Sequence, residues 1–277
     1  MIRPIKLTVL LLFVFVIHTV GQNNLYDCKN SKNFATYLFN TGQYELSKHE
    51  LERINFFCDF DSTIQLMLLK SYRKLNLFKQ EELFYVTNGI ENFDRLSGDF
   101  RDEYIRLLMT EKRYGEVQKI LDERKTFSQQ YEYRLGTELL LKNWEKAYQI
   151  SQTNVARMNF KIMGLKHIAE KSYGAKRKSP WLAALMSVVL PGSGKAYCGY
   201  WGDGAISFTF TASTAFFAIR GFNKYGTRSV YPWIIGGLAV SYYAANIYGG
   251  ATSAKRYNNN LDYSFINETE KVLYSDY

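Results

Sequence analysis

A glycine-rich stretch that ends in lysine, residues 191–195, is the part of the sequence with the most obvious potential for chemistry. Glycine-rich loops of nucleotide-binding proteins follow the pattern Gly, four residues, Gly-Lys and then Ser or Thr, whose hydroxyl reaches magnesium. Here Val189 stands where the leading glycine is needed, and Ala196 follows Lys195. The stretch therefore predicts neither nucleotide binding nor any other cofactor.

Other residue types that carry catalysis are scattered along the chain. His18, His49 and His167 each stand alone, and neither a Ser-His-Asp arrangement nor a His-Glu-x-x-His motif is visible. The acidic pairs 81–82 and 102–103 are expected on solvated helix faces, and the cysteines lack metal-binding spacing. The sequence therefore predicts a protein that is not an enzyme and that has no catalytic, cofactor or metal residues.

The N-terminus has the features of a secretory signal peptide. Arg3 and Lys6 precede an apolar run over residues 7–17, and Gly21 ends a stretch with small residues at the cleavage positions. The run is too short to cross a hydrocarbon core of about 30 Å as a helix. We therefore predict a signal peptide over residues 1–21, with an uncleaved anchor as the alternative.

Export affects the expected state of the three cysteines. An oxidising compartment permits a disulfide between Cys28 and Cys58. The odd count, with Cys198 left over, and the absence of a Cys-x-x-Cys motif leave that pairing open.

Residues 22–172 have the periodicity of a helical repeat. Four aromatic anchors, separated by 34, 36 and 30 residues, each follow one apolar helix face and precede another: Tyr44, Phe78, Tyr114 and Trp144. Two helices per period of this length are typical of a solenoid. Polar or glycine-containing turns, such as residues 40–42 and 111–113, are expected between the two helices of a unit.

The last of these units is the most regular. Its Leu135, Gly136, Trp144 and Ala147 stand at the positions of a tetratricopeptide motif, and the region resembles a degenerate array of that family. Glu81 replaces the small residue of the second unit, and the helix-closing prolines are missing. The resemblance implies binding of extended peptides or proteins along a concave face. A helical spacer without a ligand is the alternative.

A boundary follows at residues 173–180, where Lys176, Arg177 and Lys178 precede Ser179-Pro180. A basic cluster beside an apolar segment is expected to contact lipid headgroups, and a solvated linker is the alternative. The apolar run 181–190 covers roughly half of a bilayer core, at about 1.5 Å per residue. It is therefore predicted to be an interfacial or re-entrant helix.

Two longer uncharged stretches, residues 201–219 and 230–251, are predicted to cross the membrane. The loop between them carries Arg220, Lys224 and Arg228 without an acidic residue, so the positive-inside rule predicts that it is cytoplasmic. Repeats on the outer side and a basic inner loop give a consistent topology. The basic cluster at residues 176–178 argues against that topology, and an inverted hairpin or a buried soluble helix pair is the alternative.

Residues 181–258 resemble a bacterial two-helix membrane domain marked by Pro-Gly-x-Gly-x-x-Tyr and a later Asn-x-Tyr-Gly. The variant with helical repeats occurs in exported envelope proteins of Bacteroidetes-type bacteria. The matching positions are Pro191, Gly192, Gly194, Tyr197, Gly199, Gly204, Asn246, Tyr248 and Gly249. This family implies an architecture and a location but no activity.

Together these patterns predict an all-α protein: a tetratricopeptide-like solenoid, then a membrane helical hairpin with a short re-entrant or interfacial helix. A polar tail over residues 259–277, weakly helical at 265–273, is expected to be exposed. The expected role is a scaffold for other envelope proteins, in the bacterial inner membrane with the repeats in the periplasm. An accessory subunit for insertion, assembly or transport is the alternative. Despite the net charge of +9, membrane lipid is expected as the anionic partner rather than nucleic acid.

Overall fold

The structure is a computed structural model that describes residues 26–87, 97–123, 130–153 and 158–275. These residues form helices joined by turns, with no β-strand among them, which confirms the predicted all-α class. The signal peptide predicted for residues 1–21 lies outside the described residues. The helices are α1 Cys28–Asn40, α2 Tyr44–Phe57, α3 Ser62–Lys74, α4 Phe78–Thr87, α5 Gly98–Thr110, α6 Tyr114–Glu123, α7 Gln130–Leu140, α8 Trp144–Ser151, α9 Phe160–Tyr173, α10 Pro180–Val189, α11 Ser193–Tyr197, α12 Trp201–Tyr225 and α13 Val230–Leu273.

The chain divides into two compact units, with the division between residues 130 and 131. In the first unit, helices pack in chain order: α1 on α2, α2 on α3, and α3 on both α4 and α5. The division falls inside the predicted repeat domain 22–172. In the second unit, α9 packs both on α8 and on the C-terminal helix α13, so the last repeat belongs to the same unit as the predicted membrane module.

Each predicted anchor is the first residue of the second helix of its pair. Tyr44 begins α2, Phe78 begins α4, Tyr114 begins α6 and Trp144 begins α8. The aromatic spacing therefore located the start of one helix in every unit.

The turn before each anchor has the same backbone geometry in all four pairs. The residue two positions before the anchor has a positive φ: 77° at Gly42, 57° at Asn76, 60° at Lys112 and 62° at Lys142. The amide after it donates to the carbonyl five residues earlier, as in Gln43 to Leu38 at 2.9 Å. This pattern is the Schellman helix ending. The four helix pairs therefore share one type of turn, although only the first pair has glycine at the residue with positive φ.

The position three residues after each anchor faces the interior. Ser47, Glu81, Val117 and Ala147 are all 0% exposed. Glu81 is a departure from the small residues of the pattern, and neither of its carboxyl oxygens has a hydrogen-bond partner. The expectation that it lies on a solvated helix face was wrong, because the register of α4 turns this position inward. Burial, followed by the nearby Glu103 carboxylate, raises the pKa of Glu81 to about 9.

A disulfide closes the first helix pair. It joins Cys28 at the start of α1 to Cys58 just after α2, with Cα atoms 5.8 Å apart. The pairing that the sequence left open is therefore present in the structure. Cys198 is a buried free thiol in the second unit.

Helix α13 is the longest element, with 44 residues from Val230 to Leu273. At 1.5 Å per residue it is about 66 Å long. Its first half packs against α10, α11 and α12, and its second half packs against α9. A single unbroken helix therefore contains both the second predicted span and the predicted tail.

The prediction of an exposed polar tail at residues 259–277 was wrong for one face of its described part, residues 259–275. Phe265, Thr269 and Leu273 are buried, and they share one face of α13 because they are four residues apart. The Phe265 ring packs edge-on against Trp144, with ring centroids 5.7 Å apart. A Cβ atom added to Gly136 would lie 2.7 Å from Leu273 Cδ1, so this glycine leaves room for the end of α13. The helix pair α7 and α8 is therefore covered by the end of α13, a helix that is distant in sequence.

Candidate functional site

The glycines of the Pro-Gly-x-Gly stretch lie where the backbones of α10, α11 and α12 come closest. Gly192 has a φ of 89°, and a Cβ atom there would lie closer than 3.0 Å to the Gly204 carbonyl oxygen. A Cβ atom on Gly194 would meet the Ala183 carbonyl oxygen at a similarly forbidden distance. Because backbone atoms form these contacts, a side chain cannot be accommodated by a rotamer change. The motif therefore marks a backbone junction.

Asn246 connects this junction to α13. The Gly192 amide donates to Asn246 Oδ1 at 2.9 Å, and Asn246 Nδ2 donates to the Ser187 carbonyl at 3.3 Å. Asn246 is 3% exposed, so both bonds are shielded from water. The amide thus satisfies one donor after α10 and one acceptor near its C-terminus.

Replacing Asn246 by alanine is expected to lower the free energy of unfolding by about 2 kcal/mol, because the Gly192 amide would lose its buried acceptor. Thermal unfolding in a neutral detergent, followed by tryptophan fluorescence, measures the effect. The matched control is Asn259→Ala, an exposed asparagine on the same helix, for which we expect a change within about 0.5 kcal/mol. Equal effects of the two substitutions would contradict a structural role for the Asn246 amide.

A cavity of about 280 Å³ lies beside the junction, between α12 and α13; its walls are mostly apolar, and we call it the polar cavity because one side is lined by polar groups. Lys195 reaches it from α11 and donates from Nζ to Ser207 Oγ at 2.7 Å. Thr211 and Asn246 also line the cavity, and Phe210 and Tyr242 are among its apolar walls. The site combines a cation and hydroxyl groups, so its chemistry suits an oxyanion.

A second, larger cavity of about 490 Å³ lies on the α10 side of the junction. Its lining is almost entirely apolar and includes Leu190, Pro191, Tyr197, Trp201 and Phe208. It carries no charged residue, so its chemistry suits hydrocarbon rather than a polar ligand.

Around the two cavities the surface is apolar. Exposed large hydrophobic side chains cover α10, α12 and the first half of α13, and include Trp181, Trp201, Phe216, Phe217 and Trp233. Among the described residues, α12 is the one helix of at least 18 residues that is apolar enough to cross a membrane, and α10 is a shorter apolar helix. The second predicted span, 230–251, is helical but is not apolar enough to qualify in the same way.

The predicted basic loop lies at the opposite end of α12 from the Gly192 junction. Arg220 and Lys224 are on the last turns of the helix and Arg228 is in the turn that follows. All three are exposed, and none has an acidic partner within the described residues.

The basic linker is largely engaged within the protein. Arg177 Nη2 lies 3.0 Å from Asp262 Oδ1, and its guanidinium lies over the Trp144 ring. Lys178 Nζ lies 4.4 Å from the centroid of the Tyr197 ring. These contacts connect the linker to α11 and α13, and Lys176 is exposed.

The structure brings together Gly192, Gly194, Gly204 and Asn246, and it leaves Gly199 and Tyr248 exposed. It adds residues that the motif did not single out. Ser187 packs where a Cβ atom on Gly194 or Gly250 would lie, and it is the one polar residue of the run 181–190, which was a usable signal. Lys195 was considered only as part of a nucleotide loop.

The motif glycine Gly249 also has a spatial role. A Cβ atom there would lie 3.0 Å from Lys195 Cε, so the bare backbone of α13 gives the lysine its path into the polar cavity. Comparison of the chain with protein-family models, with curated proteins and with solved structures finds no match.

Proposed function

We propose that the chain is a membrane-anchored helical-repeat protein that acts as a scaffold for other proteins of the bacterial envelope. The observation that carries this proposal is the exposed apolar surface of α10, α12 and the first half of α13. Only 17% of the most apolar stretch of α12 is buried, whereas a core helix of a soluble protein is mostly buried. Lipid is the environment in which such a surface is favourable.

The repeats are proposed to lie outside the cytoplasm. The Cys28–Cys58 disulfide supports this placement, because disulfides persist in oxidising compartments. The three exposed cations Arg220, Lys224 and Arg228 support a cytoplasmic position for the opposite end of α12. The basic cluster at residues 176–178 argued against this topology in the sequence. Arg177 and Lys178 have partners within the protein that explain their position without a cytoplasmic location, and Lys176 is exposed.

The repeats are the proposed binding element. Their four common turns, and the packing in chain order within the first unit, support a tetratricopeptide-like array, which binds peptides or proteins on a groove. Other envelope proteins are therefore the proposed partners.

The topology is tested with two reporters in the full chain. Alkaline phosphatase inserted after Gly174, an exposed residue just beyond α9, is expected to be active. A fluorescent protein inserted after Gly226, in the turn between α12 and α13, is expected to fluoresce in the cytoplasm. Cys28 and Cys58 are expected to resist a thiol reagent until a reductant is added. Exported reporters at both positions would contradict a spanning hairpin, and freely reactive Cys28 and Cys58 would contradict export of the repeats.

A second candidate is an accessory subunit in which the membrane module is the working part. The junction at Gly192 and Asn246, with a polar and an apolar cavity beside it, favours this role. Crosslinking separates the two roles. A scaffold is expected to keep its crosslinked partners when residues of the Lys195 cavity are substituted, whereas an accessory subunit is expected to lose them.

A further inference from the structure

Lys195 is an unneutralised cation inside the apolar module. It is the one charged residue between Lys178 and Asp203 in the sequence. Its polar contact in the structure is the hydroxyl of Ser207, at 2.7 Å, and no carboxylate among the described residues pairs with it. Ionisable groups within membrane segments are expensive and mark binding or transport sites. The lysine therefore requires an explanation that packing does not supply.

The surrounding backbone is shaped to hold this side chain. A Cβ atom on Gly249 would lie 3.0 Å from Lys195 Cε and 3.4 Å from its Nζ. A side chain at 249 would therefore crowd the lysine, whose Cε atom would have to shift by a few tenths of an ångström. Thr211, which is buried, and Asn246 complete the polar side of the cavity. The arrangement is a built site for a negatively charged oxygen group.

The depth of the lysine along α12 limits the ligand. Asp203 and Arg256 form an exposed ion pair at 3.3 Å, which suits the level of water and headgroups. Ser207 lies one helical turn further, about 6 Å along the axis. At the same level Ile206, Phe210 and Tyr242 are exposed. A ligand there would meet a cation at one end and hydrocarbon at the other.

We propose that this cavity binds the phosphate of an anionic phospholipid. Lys195 and the hydroxyl of Ser207 would donate to the phosphate oxygens, and the acyl chains would lie along Phe210 and Tyr242. The proposal rests on the proposed membrane placement. In this proposal the positive charge of Lys195 selects anionic over neutral lipids, and Gly249 leaves the space that keeps the lysine in position.

The test uses the full-length protein, purified in a neutral detergent and stripped of lipid. Native mass spectrometry measures its binding of phosphatidylglycerol and of phosphatidylcholine with matched chains, and inorganic phosphate is added as a competitor. Both lipids carry a phosphate, but the choline ammonium of phosphatidylcholine offsets its charge. The wild type is therefore expected to prefer phosphatidylglycerol by about fivefold, the factor for one cation at an anionic headgroup. Lys195→Gln is expected to lose that preference and Lys195→Arg to keep it. Lys224→Gln removes the same charge at the other end of α12 and is expected to keep it.

Three results would overturn the proposal. One is a wild type without a phosphatidylglycerol preference, and the second is an unchanged preference in Lys195→Gln. The third is displacement of the lipid by millimolar inorganic phosphate, which would assign the site to the free ion. Extraction of membranes with alkaline carbonate separates this failure from that of the proposed function. A wild type released by carbonate would contradict membrane anchoring, whereas a retained wild type without lipid preference would contradict only the lipid site.

Discussion

Replacing Gly192 by alanine is expected to lower the free energy of unfolding by about 4 kcal/mol, the sum of a backbone effect and a larger steric overlap of about 3 kcal/mol. The residue has a φ of 89°, which an L-residue with a side chain adopts only at a cost of roughly 1–2 kcal/mol. Its new methyl group would also overlap the Gly204 carbonyl oxygen, which cannot move without shifting α12. Thermal unfolding in neutral detergent measures the loss, since Trp181, Trp201 and Trp233 report on this unit.

Gly199→Ala is the matched control for this substitution. Gly199 has nearly the same φ, 86°, but no atom lies within 4 Å of an added Cβ atom. It should therefore show only the backbone effect, about 1 kcal/mol. The difference between the two variants isolates the close approach of the two backbones. Equal losses would show that the contact with Gly204 is not limiting.

Replacing Glu81 by glutamine is expected to raise the free energy of unfolding by about 3 kcal/mol at pH 7. The pKa of Glu81 is raised to about 9 in the folded protein, mainly by burial, from an ordinary value of 4.5. The folded protein therefore holds a proton that the unfolded chain releases. Its stability is greatest below pH 4.5, decreases as the pH rises to about 9, and is then constant. Glutamine has the same shape but does not titrate, so the variant lacks this decrease.

Hydrogen exchange of peptides from α3 to α6 in the full chain, measured between pH 5 and pH 9 and corrected for intrinsic exchange rates, follows this effect locally. The groups that influence Glu81 are Glu103, Arg73 and Glu111. They are unchanged in the variant, so the difference between the two proteins reports on position 81. Glu123→Gln, an exposed change of the same charge on α6, is the control and should leave the pH profile unaltered. A wild type without pH dependence in this range would contradict a protonated Glu81.

The sequence predicted the structure best where a single residue type stands at a defined position, such as the start of a helix. The aromatic anchors located four helix starts because each has a large, half-buried ring at the first residue after the turn. The turns themselves were only partly predictable. Gly42 and Asn76 are recognisable helix stops, but Lys112 and Lys142 adopt the same conformation with side chains that ordinarily disfavour it. The fold of the chain, rather than local preference, determines those two positions.

Long-range packing was the main feature that local patterns did not reveal. Phe265, Thr269 and Leu273 form a buried stripe within a stretch that is otherwise polar, and their partners, such as Gly136, are more than a hundred residues away. The site was predictable in its glycines and Asn246, whose residue types are unusual at those positions. The role of Lys195 was not predicted, because its position in the cavity depends on Ser207 and Gly249, which only the fold brings near it.

The unbroken course of α13 fixes a rotational phase between its two ends. Successive residues of an α-helix are rotated by about 100°, so the face with Asn246 and the face with Phe265 keep a constant angle as long as no residue is added or removed between them. A single alanine inserted after Lys255 would turn one face by about 100° relative to the other and shift it by about 1.5 Å. The two halves of this helix therefore rotate together, so a rotation imposed where α13 packs on α9 is transmitted along α13 to the junction at Gly192.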